Sequence, residues 1–215
     1  MNKKKHGVLI LGCGGHARFI ISILKNINFE ISGLIDVNDN YDLEEVIMNV
    51  PIIGSINCLP KFLKDGYNDI VLAVGDNKRR KTFYEEVINL GFNLPNIIHT
   101  TALIDDTVLK GDGNVFGPSV IIGAEVKIGS NNIFNSACMV EHQSIIGSHN
   151  HLSLSSIICG SVKIGNEVFI GANSTVIDKK HIANNTTIGS NTNLVSNVNN
   201  EKTTLVGNPG KIVSK

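Results

Sequence analysis

A carboxylate and an imidazole stand side by side at Glu141 and His142, with Asn135 seven residues earlier and His151 nine residues later. Histidine titrates near neutral pH and can take and return a proton, so His142 is a candidate general base, with Glu141 and Asn135 beside it. Its position argues for this. Nearly every sixth residue around it is small or short and polar, as at Ala124, Ser130, Ser136, Ser148, Asn166, Ala172 and Ser190, with Leu154 the bulky aliphatic; His142 is the imidazole of that series. A bulky ring where small residues recur asks for a reason; the competing reading is a histidine that is merely exposed. His149 and His151 also raise a zinc or iron site built between stacked chains. Local spacing predicts ligand geometry poorly in such a chain, and no metal is expected.

A second group lies near the start. Gly12, Gly14 and Ala17 follow the apolar run Val8–Leu11 and open a helical spacing, so Gly12-Cys13-Gly14-Gly15-His16 satisfies the loose dinucleotide fingerprint. Backbone N–H groups and the positive end of a helix suit a phosphate or diphosphate there. Asp36, ending the next strand, stands where an acid can take a ribose hydroxyl or a base N–H. His16 could contact a phosphate or sugar. The alternative is a glycine turn that only lets helix pack on strand. Asp76-Asn77-Lys78-Arg79-Arg80 follows the third strand at the edge where such sheets bind ligands; it reads equally as a helix start capped by Asp76 or Asn77.

Two kinds of architecture must position these groups. Residues 1–95 alternate strand and helix: strands at 8–11, 31–35, 51–53 and 70–74, helices at 17–26, 59–64 and 78–90. That order predicts a small Rossmann-like α/β domain with a parallel sheet. Residues 96–215 follow another rule. From Ile122 to Leu194 every sixth residue is bulky and apolar, and Ile122, Ile128, Ile146, Ile164, Ile170 and Ile188 are each followed by glycine. Neither a helix nor a flat strand has a period of six. A chain wound as short strands around a triangular prism does, three hexapeptides per coil. Lys110 interrupts the phase and marks an expected irregular first coil, and the segment from Leu205 to Lys211 is expected to cap the solenoid.

Composition narrows the function. Lys plus Arg and Asp plus Glu both number 19, so no net field favours nucleic acid or an anionic membrane. The basic start, Met1–His6, precedes an apolar run that Gly12 ends, too short for a signal peptide or a membrane span. Cys13, Cys58, Cys138 and Cys159 form no CxxC and are expected to be free thiols in a reducing cytoplasm.

Taken in order, Gly12–Arg18, Leu34–Asp36, Ala73–Asn77, Asn135, Val140–His142, His151 and Gly207-Asn208-Pro209-Gly210-Lys211 make the chain resemble the nucleotide-sugar and sialic-acid acetyltransferases with a left-handed β-helix. The likeness is strongest to N-acetyltransferases of the bacillosamine and perosamine type in bacterial glycan synthesis, and it covers essentially the whole chain. It implies a homotrimer, with acetyl-CoA in the groove between neighbouring prisms. A nucleotide-linked amino sugar (UDP favoured, dTDP or GDP as alternatives) would be held by Gly12, Cys13, Gly14, Gly15, His16, Asp36 and Asn77. His142 matches the family's base. Gly160, one coil above, matches a backbone donor to the thioester carbonyl. His151, Ala172, Ser190, Gly207, Pro209 and Lys211 fall on the coenzyme side. Gln143 departs from the family, where an acid is common, so Glu141 or another acid would orient the ring; Gly210 replaces the usual alanine. The implied reaction is direct acetylation of the sugar's C4 amine. Sialic-acid O-acetylation is the runner-up, and a metal-dependent hydratase or a non-catalytic trimeric scaffold are the readings from other classes.

Overall fold

A computed structural model describes residues 6–39 and 42–213; the basic run at residues 1–5 lies outside them. The chain divides into two compact units, Met1–Ile97 and Ile98–Lys215.

The first unit runs β1 (Val8–Leu11), α1 (Gly15–Asn26), β2 (Ile31–Asp36), β3 (Val46–Ile47), β4 (Val50–Ser55), α2 (Leu59–Lys64), β5 (Ile70–Leu72) and α3 (Asn77–Leu90). The sheet order is β3-β4-β2-β1-β5, parallel except for the antiparallel β3–β4 pair. All four residues of β1 are fully buried, as a central parallel strand covered on both faces requires. Leu9 and Leu11 share a core with Leu59 and Val87, and Phe83 and Leu90 pack against it, so α3 turns one apolar face to the sheet. Two details differ from expectation. β3 is an extra two-residue strand, joined to β4 through Met48 and Asn49, both left-handed at φ 51° and 64°. That is a two-residue hairpin without the usual glycine, which is why the segment reads as a loop. β5 stops at Leu72 rather than at Val74; the Ala73 N–H still donates to the Leu11 carbonyl at 2.8 Å, and pairing ends there, where Gly12 lies against the Ala73 carbonyl.

The second unit is a three-sided prism of two-residue strands. The first face stacks Leu103–Ile104, Ile121–Ile122, Met139–Val140, Ile157–Ile158, Thr175–Val176 and Asn193–Leu194. The second stacks Leu109–Lys110, Lys127–Ile128, Ile145–Ile146, Lys163–Ile164 and His181–Ile182; the third includes Val115–Phe116, Ile133–Phe134, His151–Leu152, Phe169–Ile170 and Thr187–Ile188. Neighbouring coils pair in parallel, Ile122 with Val140 and Ile128 with Ile146. Every apolar residue of the six-residue phase from Ile122 to Leu194 is buried. The Phe116 and Phe134 rings stack 4.8 Å apart at 1°, matching the strand spacing of about 4.8 Å between coils.

The corners repeat as faithfully as the faces. Every sixth residue from Ser119 to Asn191 is left-handed, with φ between 54° and 63°. None of these is β-branched, the type that tolerates this conformation least. The strained residue thus lies one place beyond the small-residue series that includes His142. Close stacking explains the glycines: a Cβ on Gly129 or Gly147 would lie within 2.5 Å of atoms in the coil above. Inside the prism, buried Asn114, Asn132 and Asn150 form a ladder in which each side-chain oxygen accepts the N–H one coil above, at 2.9, 2.8 and 2.7 Å. Buried backbone donors are thereby satisfied without breaking the coil.

Lys110 does not disturb the winding. It pairs with Ile128 in register and is exposed because its strand is the edge of the second face. At the other end Val198 fills the core beside Ile182, and Thr204–Val206 and Lys211–Val213 close the third face as an antiparallel hairpin.

Candidate active site

In the first unit the chain leaves β1 and β5 in opposite directions, the switch point where parallel sheets bind ligands at their carboxyl ends. Gly12 carries the contact there. Its φ is +119°, and a Cβ would meet the Ala73 carbonyl oxygen at 2.8 Å. Gly14 is the N-cap of α1, with no side-chain cap and no acid in the helix's first turn. Cβ atoms on Gly14 or Gly15 would meet nothing within 4 Å, so the backbone is open to a close ligand. Asp36 accepts the Asn38 N–H at 2.6 Å. The Cys13 thiol also donates to Asp36, and burial together with that carboxylate pushes its pKa up to about 12. Cys13 is therefore a hydrogen-bond donor and no nucleophile. His16 lies against Phe19, ring centres 5.3 Å apart.

Across the switch point, Asp76 caps α3 by accepting the Arg79 N–H at 2.8 Å. Asn77 accepts from Arg80, whose guanidinium also donates to the Val74 and Gly75 carbonyls at 3.2 Å. Arg80 is 1% exposed. It ties down the loop that carries Asn77, a role invisible in a run of basic residues.

In the second unit His142 is exposed at the corner between the first and second faces, beside half-buried Glu141. Gly160 sits directly above it: a Cβ there would lie 2.7 Å from His142 Cε1 and 2.8 Å from Nε2. The missing side chain is the space the imidazole occupies. The Gly160 N–H, expected to face a thioester, donates to Asp178 Oδ1 at 3.0 Å. Gln143 donates to Glu125 at 3.0 Å, and these two line an open cleft of about 410 Å³ with Thr107, Leu109, Lys127 and Ile145. Cys159, flanked by Asp178 and Glu141, has its pKa raised by burial first and by those carboxylates second. Buried Cys138 is pushed up to about 12. Both thiols are held protonated.

The remaining predicted residues are elsewhere on the prism. Asn135 is at the corner between the third and first faces, its Oδ1 accepting the Ser136 N–H at 2.8 Å. His151 is on the third face, edge-on to Phe169 at 5.3 Å. Ala172 and Ser190 continue the corner of Asn135, and the Gly207–Lys211 turn reaches the same end through Asn193, whose N–H donates to the Gly207 carbonyl at 3.1 Å. One chain thus gathers Asn135, Ala172, Ser190 and the terminal turn along one corner and His142 and Gly160 along the next. Sequence reading missed Asn173, Asn191, Asn193 and Asn208, which with Thr175 and Thr192 line a polar cleft of about 360 Å³ beside Ala172 and Ser190. Asparagines at matching places in successive coils were the available signal. Among the described residues no three His, Cys, Asp or Glu side chains are placed to hold a metal, and no helix is long and apolar enough to cross a membrane.

Residues 7–87 match the PglD N-terminal domain family. Over almost the full length the chain is similar to a mutant of perosamine N-acetyltransferase from Caulobacter crescentus, solved with CoA and GDP-perosamine: 28% identity, 99% of both chains, TM-score 0.93. The acetyltransferase domain of PglB from Neisseria gonorrhoeae, in complex with acetyl coenzyme A, shares the fold at 24% identity, covering 98% of this chain and 100% of that one, with TM-score 0.88. An uncharacterized protein of Acanthamoeba polyphaga mimivirus is 33% identical over 110 residues, 51% of this chain; the match spans only 21% of that curated relative's length. In fold and motif the whole chain is similar to the left-handed β-helix, hexapeptide-repeat sugar acetyltransferases, and that likeness supports an acyltransferase. Within that class its first unit is of the PglD type, and its whole-length likeness is to the perosamine N-acetyltransferase.

Proposed function

We propose that the chain transfers the acetyl group of acetyl-CoA to the C4 amine of a nucleotide-linked amino sugar, with His142 as general base. The observation that carries this is the His142–Gly160 pair: an exposed imidazole whose ring fills the place of a missing side chain in the coil above. The amine gives its proton to His142 and attacks the thioester carbonyl. The N–C bond forms, the C–S bond breaks, and the proton passes to the leaving thiolate. Raised pKa values at Cys138 and Cys159 support direct transfer over an acetyl-enzyme. The Gly12–Gly15 turn and Asp36 hold the nucleotide diphosphate, and the protein works in the cytoplasm.

A homotrimer completes the site. The first face carries outward Leu103, Ile121, Met139 and Ile157, with Leu103 66% exposed, an apolar stripe suited to burial against a second copy. That face is flanked by the two corners just described. Packing through it sets the His142 corner of one copy against the Asn135 and Ala172 corner of the next, with acetyl-CoA between them. UDP is the proposed nucleotide, and the GDP sugar bound to the Caulobacter relative makes GDP its competitor. A thermal-shift panel of UDP, GDP and dTDP, with and without CoA, tests both halves: ligands that bind only the folded state raise Tm. A rise with one nucleotide and a further rise with CoA are expected. No shift with any of them contradicts the reading.

A further inference from the structure

At two corners of this prism, corner N–H groups are capped by a side chain one coil above. Between the second and third faces, the Ser130, Ser148 and Asn166 N–H groups donate to Ser148 Oγ, Asn166 Oδ1 and Asn184 Oδ1 at 3.0, 2.7 and 2.8 Å. Those caps are neutral. On the corner of His142 the residues in the same place are Ala124, His142, Gly160, Asp178 and Ser196, and the cap is a charged one: Gly160 N–H to Asp178 Oδ1 at 3.0 Å. This N–H belongs to the residue against which the imidazole packs, so any acyl group delivered to His142 arrives beside it.

We infer that Asp178 is a positioning residue for the acyl donor, a removable anionic cap on the Gly160 N–H that the thioester carbonyl must displace. Two observations carry the inference. The donor cannot serve a carboxylate and a carbonyl at full strength, and Asp178 is exposed, so its side chain can turn into water without strain. A carboxylate left in place would also face the negative charge that develops on the carbonyl oxygen, which donors at such sites exist to stabilise. A neutral acceptor can fill this place in a coil, as the Ser148, Asn166 and Asn184 caps on the next corner show, so the charge at Asp178 is not a requirement of the winding. Asp178 therefore weakens acetyl-CoA binding while holding the Gly160 N–H aimed until the thioester arrives. The inference rests on the acetyltransferase reading above.

The test compares full-length wild type with Asp178→Ala and Asp178→Asn, measuring kcat and KM separately for acetyl-CoA and for the nucleotide sugar, with calorimetric Kd for acetyl-CoA. A hydrogen bond to a charged acceptor, discounted for exposure, is worth about a three- to tenfold change in affinity. Asp178→Ala is expected to lower KM and Kd for acetyl-CoA by about that factor, leaving KM for the nucleotide sugar unchanged. Asp178→Asn keeps a neutral acceptor and is expected to fall between. A purely structural cap would move Tm and both KM values together. Unchanged or weaker acetyl-CoA binding in Asp178→Ala overturns the inference while the wild-type activity stands. A wild-type protein that binds no acetyl-CoA overturns the activity and the inference together.

Discussion

His142→Ala is expected to lower kcat for acetyl transfer by at least about a hundredfold, with Tm and the binding of both substrates nearly unchanged. General-base assistance is typically worth ~10²–10⁴-fold, and the three protonated thiols offer no substitute nucleophile. The fold has little stake in this ring. His142 is exposed, its side chain makes no hydrogen bond among the described residues, and the apolar core beneath it belongs to Val140 and Ile146. Truncation therefore removes chemistry and leaves the prism. His142→Asn should behave alike, since an amide fills the volume but cannot carry a proton at neutral pH. Wild-type turnover in either variant removes His142 from the mechanism.

Gly160→Ala is expected to damage the same step by a different route. The added Cβ would stand 2.7–2.8 Å from the ring atoms Cε1 and Nε2, closer than real contacts allow. The obstructing atoms are the end of an exposed side chain, so the ring swings out and the coil is spared. Tm should move little. Displacing a catalytic group by about 1 Å can cost ~10²-fold in rate, and that is the loss expected in kcat. Non-additivity identifies the cause: in the double variant His142→Ala, Gly160→Ala, the second change should add almost nothing to the first. Full additivity would mean that Gly160 acts independently of the imidazole, and a large drop in Tm would make it a packing residue.

Much of this was legible before the structure because the prism is periodic. A bulky residue every sixth place fixes which side chains point inward, and adding 18 to a residue number gives the residue one coil above, so Gly160 over His142 is readable from spacing alone. The same arithmetic separates Asn135 from His142: seven residues apart means successive corners, so closeness along the chain is not closeness in the site. Three things were not legible. The direction of the Asp178 carboxylate depends on a side-chain torsion that no period encodes. The asparagines recur in the sequence, but the cleft they line forms from backbone corners and the terminal hairpin, elements with no hydrophobic signature to reveal a cavity. In the first unit the Gly12–Gly15 turn and Asp36 were readable from the fingerprint, but the Cys13 thiol on Asp36 and the buried Arg80 under its loop arise from side-chain packing on either side of the switch point, which no spacing encodes.

The class of protein rests on fold and motif together; the reaction rests on the corner imidazole. The most direct test incubates the full-length chain with acetyl-CoA and a 4-amino sugar linked to UDP, GDP or dTDP, following the sugar by mass spectrometry and free CoA by thiol release. One of the three sugars should gain a single acetyl group with an equal yield of CoA, and His142→Asn should abolish both signals while remaining folded. Folded wild type that acetylates none of the three, or a His142→Asn protein that acetylates as fast as wild type, would contradict the account.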